Sequence, residues 1–339
     1  MSTLHMYSRK VKAVLFTALC GLLLSCVQES DADLVIYAYD SFATEWGPAP
    51  IVIPAFEKAT GFTVELVVPG DSGQVLSRAI EEKDKSIADV LIGIDGNLLP
   101  KALAKDVLSP YKPKNHADIP PELVLDAEWH LTPYDWSSFA IMWDSEKLSN
   151  PPQSLEDLTK PQYAKKLILM DPRTSTPGLG FLAWTAAVYG EELPEYWKRL
   201  KPSILTMSPG WDTGYGLFTA GEAPLVISYT TSAAYHAEFE TAGRYRALEF
   251  NEGHPVQIEG AGITKGARHR KAAEAFIDFM LTNDFQAALP LTNWMYPVMP
   301  GVVMPESYAG SPKPAKVLSF DPSRLDAAVK ASLDALQAP

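Results

Sequence analysis

Cysteine is nearly absent from this chain: there are two in 339 residues, Cys20 and Cys26. Beyond Cys26 the protein can form no internal disulfide and offers no thiol nucleophile, so its stability must come from a packed core. Histidine is also scarce. His5, His116, His130, His236, His254 and His269 are scattered without ligand spacing, which gives a metal site no support. None of the patterns GxSxG, GxxxxGK[ST] or HExxH occurs. Bases are outnumbered, with 29 Lys and Arg against 41 Asp and Glu for a net charge of −12, a balance that repels nucleic acid. The one long apolar run, Ala13 to Leu24, is too short to span a bilayer.

That run is informative in another way. Arg9, Lys10 and Lys12 precede it, the layout of a secretory leader over residues 1–25. The sequence Leu23-Leu24-Ser25-Cys26 that ends it resembles the lipobox of bacterial lipoproteins, in which the cysteine becomes the lipidated first residue. This implies an exported protein anchored through Cys26 to the cell membrane or outer membrane, facing the periplasm or exterior. The leader carries three bases and no acids, so the mature chain has 26 basic against 41 acidic residues, a net of −15. Surface acidity of this size serves solubility and does not by itself identify a cationic ligand.

The remainder is globular in composition, 47% hydrophobic and 21% charged, and long enough for two α/β lobes. From residue 34, β-rich runs (LVIYAY, FTVELVV, ADVLIGI) alternate with helical patterns near 51–59, 74–82 and 98–105. Strict alternation predicts a parallel sheet with both faces covered. A Pro-rich and acid-rich passage, 109–133, leads to a second series, SSFAIMW, KLILM, SILTM and PLVIS, with helices near 178–189, 193–200, 212–220 and 232–239. Ala273, Phe276, Ile277, Met280 and Leu281 predict a helix over 268–282, and PSRLDAAVKASLDALQ a closing helix capped by Ser323. The expected division is 26–133 for the first part of lobe 1, 134–258 for lobe 2, and 259–339 for the return to lobe 1, the last helix being assignable to either.

In a parallel sheet the loops at the carboxyl ends of the strands form the ligand-binding rim. Asp40, Asp71 and Asp95 stand in three such loops and should gather there, although each also reads as a turn former or helix cap. Trp46, Trp211, Tyr229 and Trp294 occupy strand ends and loops as well, a set suited to stacking on a flat ring. A positively charged ring would gain about 0.5 to 2 kcal/mol per such contact. In DPRTSTPGLGFLAW, residues 171–184, hydroxyls precede Pro177 at the expected first position of a helix, whose free N–H groups suit an anion. Ring faces and carboxylates on one side with a helix N-terminus on the other fit a cation with a phosphate tail.

PGDSGQ, residues 69–74, looks like the nucleophile segment of trypsin-like proteases, but those enzymes need a histidine ahead of the serine and only His5, in the leader, precedes Ser72. A different resemblance covers most of the chain. Through YDSFATEWGP, NPPQSLEDL, DPRTSTPGLG, YGLF, SYTTSAAYH and NWMYPV, it resembles, from about Leu34 to Asp321, the thiamine-binding periplasmic proteins of bacterial ABC transporters. That resemblance implies a type II periplasmic-binding-protein fold, two α/β lobes with mostly parallel sheets around a ligand cleft. It implies capture of thiamine, and of its mono- and diphosphate, for an ATP-driven membrane permease, by a monomer with no cofactor and no catalysis. The ligand contacts it implies are Asp71, Ser72, Ser175, Thr176, Trp211, Tyr229, Thr230, Thr231 and Ser232, joined by Tyr39, Trp46, Tyr235 and Trp294. Ser72 stands where relatives tend to carry glycine. A ferric-ion receptor of the same fold, with Tyr229 and Tyr235 as phenolate ligands, is the alternative.

Overall fold

The computed structural model describes residues 31–239 and 243–337, so the leader and Cys26 lie outside the described residues. The first elements are β1 (Leu34–Tyr39), α1 (Asp40–Ala43), α2 (Ala49–Thr60), β2 (Val64–Gly70), α3 (Ser72–Glu81), β3 (Val90–Asp95), α4 (Leu99–Ala104) and the short β4 (Leu108–Ser109). β1 and β3 are buried along their whole length, as continuous apolar runs in a covered parallel sheet should be. β1 pairs in parallel with β2 on one side and β3 on the other.

The second series comprises β5 (Thr132–Asp144), β6 (Leu167–Met170), α5 (Thr176–Tyr189), α6 (Leu193–Leu200), β7 (Ile204–Ser208), α7 (Trp211–Thr219), β8 (Leu225–Tyr229), α8 (Ser232–Phe239), β9 (Tyr245–Ala247) and β10 (His254–Thr264). The chain ends with α9 (Arg270–Met280), α10 (Asn283–Gln286), α11 (Leu289–Thr292), β11 (Tyr296–Pro297), β12 (Val317–Leu318) and α12 (Leu325–Gln337). The strand order is β2-β1-β3-β10-β5-β8-β6-β7.

β5 joins two sheets. Its first half runs antiparallel to β10, from Thr132 opposite Ala261 to Ser138 opposite Val256, while Phe139 to Trp143 pair with β8. One thirteen-residue strand is thus the seam between two lobes, and the strand ends on either side of it face a common cleft. β10 is the strand that sequence patterning misses, because HPVQIEGAGIT interrupts its apolar residues with glycine, glutamine and glutamate.

Two terminal details depart from expectation. Pro177 is the second residue of α5, after Thr176, with Ser175 at the cap position. The closing helix is preceded by a turn at Pro322–Arg324 capped by Asp321, whose carboxylate accepts from the Ser323 N–H, so Asp321 and not Ser323 caps it. α12 itself packs mainly on α6 and α5, and the Pro322–Arg324 turn leads back to α4.

Candidate functional site

Asp71 is where the two sides of the cleft meet. It caps α3, its Oδ1 accepting from the Ser72 N–H at 2.6 Å while its own N–H donates to Gln74 Oε1, the reciprocal pairing of a capping box. Its Oδ2 accepts from the backbone N–H of Trp211, the first residue of α7, at 3.0 Å. One carboxylate therefore bridges two helix N-termini on opposite sides of the cleft. Glycine permits the approach: a β-carbon at Gly210 would stand 3.1 Å from Asp71 Oδ2, and one at Gly73 2.6 Å from the Thr174 carbonyl oxygen. Sequence reading left open whether this aspartate is a cap or a site residue, and the structure puts it in both places.

Beside it lies a narrow cavity of about 40 Å³ lined by Tyr39, Ser41, Trp46, Asp71, Ser72, Thr176, Pro177, Trp211, Tyr229, Ser232, Glu259, Asn293, Trp294 and Met295. No lysine or arginine is among them. Ser72 Oγ is buried without a partner, and Ser175 Oγ, next to the Asp71 carboxyl, meets no partner at hydrogen-bonding geometry. The start of α5 borders the cavity through Thr176 and Pro177.

The aromatic walls are each backed by a second ring. Trp211 stacks on Tyr215 at 4.7 Å and 17°, and its Nε1 donates to Ser228 Oγ at 2.8 Å. Tyr229 stacks on Phe139 at 5.3 Å and 26°, its hydroxyl donating to Gln257 Oε1. Trp46, 42% exposed, stands 6.4 Å from Trp211 across the cleft. Trp294 has a left-handed backbone, φ 56°, which a residue with a β-carbon adopts at a cost and which is met most often at functional sites. It meets the edge of Tyr235 at 5.2 Å. Tyr235 itself, 36% exposed, lines only an outer aromatic groove that adjoins the cavity through Trp46, Trp211, Ser232 and Trp294.

Most of the residues named from the sequence converge here; Tyr235 lies at the outer groove, Ser175 stands behind the lining beside Asp71, and two more stay apart. Thr230 and Thr231 are buried behind the wall, their hydroxyls facing Ser137 on β5 at 3.4 and 2.8 Å, and they do not line the cavity. Of the three rim aspartates, Asp40 lies near Asp71, whereas Asp95 points its carboxylate at the backbone N–H groups of Asn97 and Leu98 and lines a different groove.

The cavity lining also holds an acid that sequence reading missed, Glu259, which belongs to a buried acidic cluster. Glu259 on β10 is opposite Asp95 on β3 and Asp135 on β5, three acids in register across adjacent strands, all buried. Tyr39 and Tyr134 donate their hydroxyls to Glu259 Oε2 at 3.1 and 2.9 Å, Gln257 Nε2 donates to its Oε1 at 2.7 Å, and Asn293 Nδ2 donates to Asp135 Oδ2. Burial pushes these acids up: Asp71 to about 6, with the nearby Asp40 adding to the shift, Glu259 to about 6 and Asp95 to about 7. Asp135 is held well above the carboxylate range by burial and by Glu259 beside it. The available signal was an acid within a β-run, as in QIEGAG and TPYDWSS.

Comparisons with known proteins identify the family. The family model for bacterial extracellular solute-binding proteins matches residues 85–325. The thiamine-binding periplasmic protein of Brucella melitensis is 40% identical over 316 residues, 93% of this chain and 94% of that protein. A solved periplasmic thiamin binding protein superposes with a TM-score of 0.83 at 39% identity, covering 89% of this chain and 96% of that one. A ferric binding protein from Campylobacter jejuni, 21% identical with a TM-score of 0.74 over 90% of this chain and 98% of that one, shares the fold alone.

Proposed function

This chain belongs to the bacterial extracellular solute-binding proteins, among the thiamine-binding periplasmic proteins, and from that premise we propose that it captures thiamine in the cleft between its lobes for import by a membrane permease. The observation that carries the reading is a cavity walled by ring-backed aromatic faces and floored by buried acids, with no base in its lining. Thiamine joins a flat aminopyrimidine to a permanently cationic thiazolium ring. Aromatic faces and carboxylates suit both parts, and desolvation in a closed cleft strengthens both kinds of contact.

Trp211, Tyr229, Tyr39, Trp46 and Trp294 supply the ring faces, and Tyr235 extends them at the mouth. The start of α5, with Ser175, Thr176 and Ser72, takes the hydroxyethyl group or the phosphate of a thiamine ester, through N–H groups and hydroxyls left without partners. The bond between Asp71 and Trp211 fastens the lobes once the ligand is enclosed. Export by the leader and anchorage through Cys26 would keep the receptor beside its permease as a tethered monomer; the lipobox-like Leu23 to Cys26 supports this.

Iron is the weaker reading. Tyr229 is turned toward Gln257 inside the cavity and Tyr235 toward the outer groove, so the two phenols do not share one ligand position. Titrating the protein with thiamine and, in parallel, with ferric citrate separates the readings: saturable quenching of tryptophan fluorescence by thiamine is expected. A visible phenolate-to-iron absorption band, with no response to thiamine, would overturn the assignment.

Affinity should depend on pH. Asp71 and Glu259, both near 6, face Asp40, Asp95, Asp135 and Tyr229, and none of these neighbours is a base. The ligand's charge favours the ionised form of Glu259, and the ionised Asp71 is the stronger acceptor for the Trp211 N–H, so protonation of either competes with binding. A single group at about 6 makes capture about tenfold weaker at about pH 5 than at about pH 7.5. The sign for stability is opposite: an acid raised on folding binds its proton more tightly when folded, so its stabilisation is complete below about pH 4 and is lost as pH rises through about 6. The unliganded protein should therefore lose stability from these groups between those values while affinity rises; calorimetric titrations and thermal melts across the range check both signs.

A further inference from the structure

Asp71 and Glu259 are both buried acids at the cavity, but their surroundings differ in kind. Asp71 lies against the N-termini of α3 and α7, and both its oxygens accept backbone N–H groups there. The partial positive charge of those helix ends compensates it. Glu259 sits mid-strand on β10, and its partners are the neutral Tyr39, Tyr134, Gln257 and Asn293. These fix its carboxylate in place without cancelling its charge. Asp135, opposite it on β5, has a buried Oδ1 with no donor, and burial with Glu259 beside it holds its carboxyl well above the usual range. Of the two, Glu259 is the one that lines the cavity.

We propose that Glu259 is the residue that selects for positive charge in the ligand, and that Asp71 is the latch that holds the lobes closed whatever the ligand's charge. This rests on the thiamine reading of the site. Oε1 of Glu259 receives one protein donor, which leaves it acceptor capacity toward the cavity. An uncompensated buried carboxylate is costly until a cation reaches it, so the ligand's charge relieves a penalty that a neutral ligand cannot.

The experiment compares thiamine with 3-deazathiamine, its neutral isostere, by calorimetric titration of the mature protein. Wild type should prefer thiamine by about tenfold, the difference a charge-assisted contact makes over a neutral one. Glu259→Gln should abolish that preference by weakening thiamine alone. Asp71→Asn should weaken both ligands alike and keep the preference, and Asp135→Asn should keep it as well. Equal weakening of both ligands by Glu259→Gln, or loss of the preference in Asp71→Asn, overturns the proposal. Should Glu259→Gln not fold, Glu259→Asp carries the test: withdrawing the charge by one methylene must reduce the preference, and an unchanged value overturns it. Failure of wild type to bind thiamine at all would instead remove the functional reading beneath it.

Discussion

Asp71→Ala is expected to weaken thiamine capture about thirtyfold to a hundredfold while leaving the protein folded. The substitution deletes two things of different consequence. Losing the α3 cap costs about 1 kcal/mol of stability, in the open and closed forms alike. Losing the bond from the Trp211 N–H removes a charge-assisted contact worth about 1.5 to 3 kcal/mol, and that contact joins opposite sides of the cleft. Only the second loss bears on affinity, because a bond made solely in the closed form adds its whole free energy to closure. The penalty should fall on the dissociation rate more than on the association rate, since opening releases the ligand. Stopped-flow fluorescence separates the two. An unchanged dissociation rate together with an intact thermal melt would remove the latch from the account.

The second large effect is expected at the ring faces. Trp211→Ala should raise the thiamine Kd roughly thirtyfold, since an indole face lost from a desolvated site costs about 2 kcal/mol in burial and cation–π attraction together. Tyr229→Ala should raise it at least tenfold. These rings are supported from behind by Tyr215 and Phe139, so truncation leaves the supports in place and the fold intact. Phe and Tyr replacements distinguish face from size: Tyr229→Phe keeps the face, loses only the bond to Gln257, and should bind within a few-fold of wild type. Calorimetry showing unchanged affinity in both alanine variants would contradict the aromatic site.

How much of this was legible in the sequence follows from the range of each interaction. β1, β3, β6 and β8 are apolar runs of four to six residues bounded by turn formers, and such runs state their own conformation. The helices α5 to α8 likewise fall within two residues of their expected limits, with the alternation that separates them. β10 does not announce itself, because its residues answer to two neighbours at once: Gly260 and Gly262 are crowded by Leu131 and Leu108 while Glu259 faces the cavity. The acid floor was illegible for the same reason. Tyr39 reaches Glu259 across 220 residues of chain and Asn293 across 254, and no local pattern encodes such a meeting. Asp71 was legible twice over, because a helix cap at a strand-end loop is both a local motif and a place where ligands approach.

Thr230 and Thr231 show the reverse. Their place in SYTTSAAYH made them expected contacts, yet the turn between β8 and α8 brings both hydroxyls toward Ser137, where they tie that turn to the seam strand.

The most direct measurement is calorimetric titration of the unliganded mature protein with thiamine at neutral pH, set beside oxidised iron as a control. One site per chain, submicromolar affinity and a Kd roughly thirtyfold higher in the Trp211→Ala variant are what two lobes closing on an aromatic cation must produce. Absence of heat with thiamine, or an equal response in wild type and variant, would contradict it.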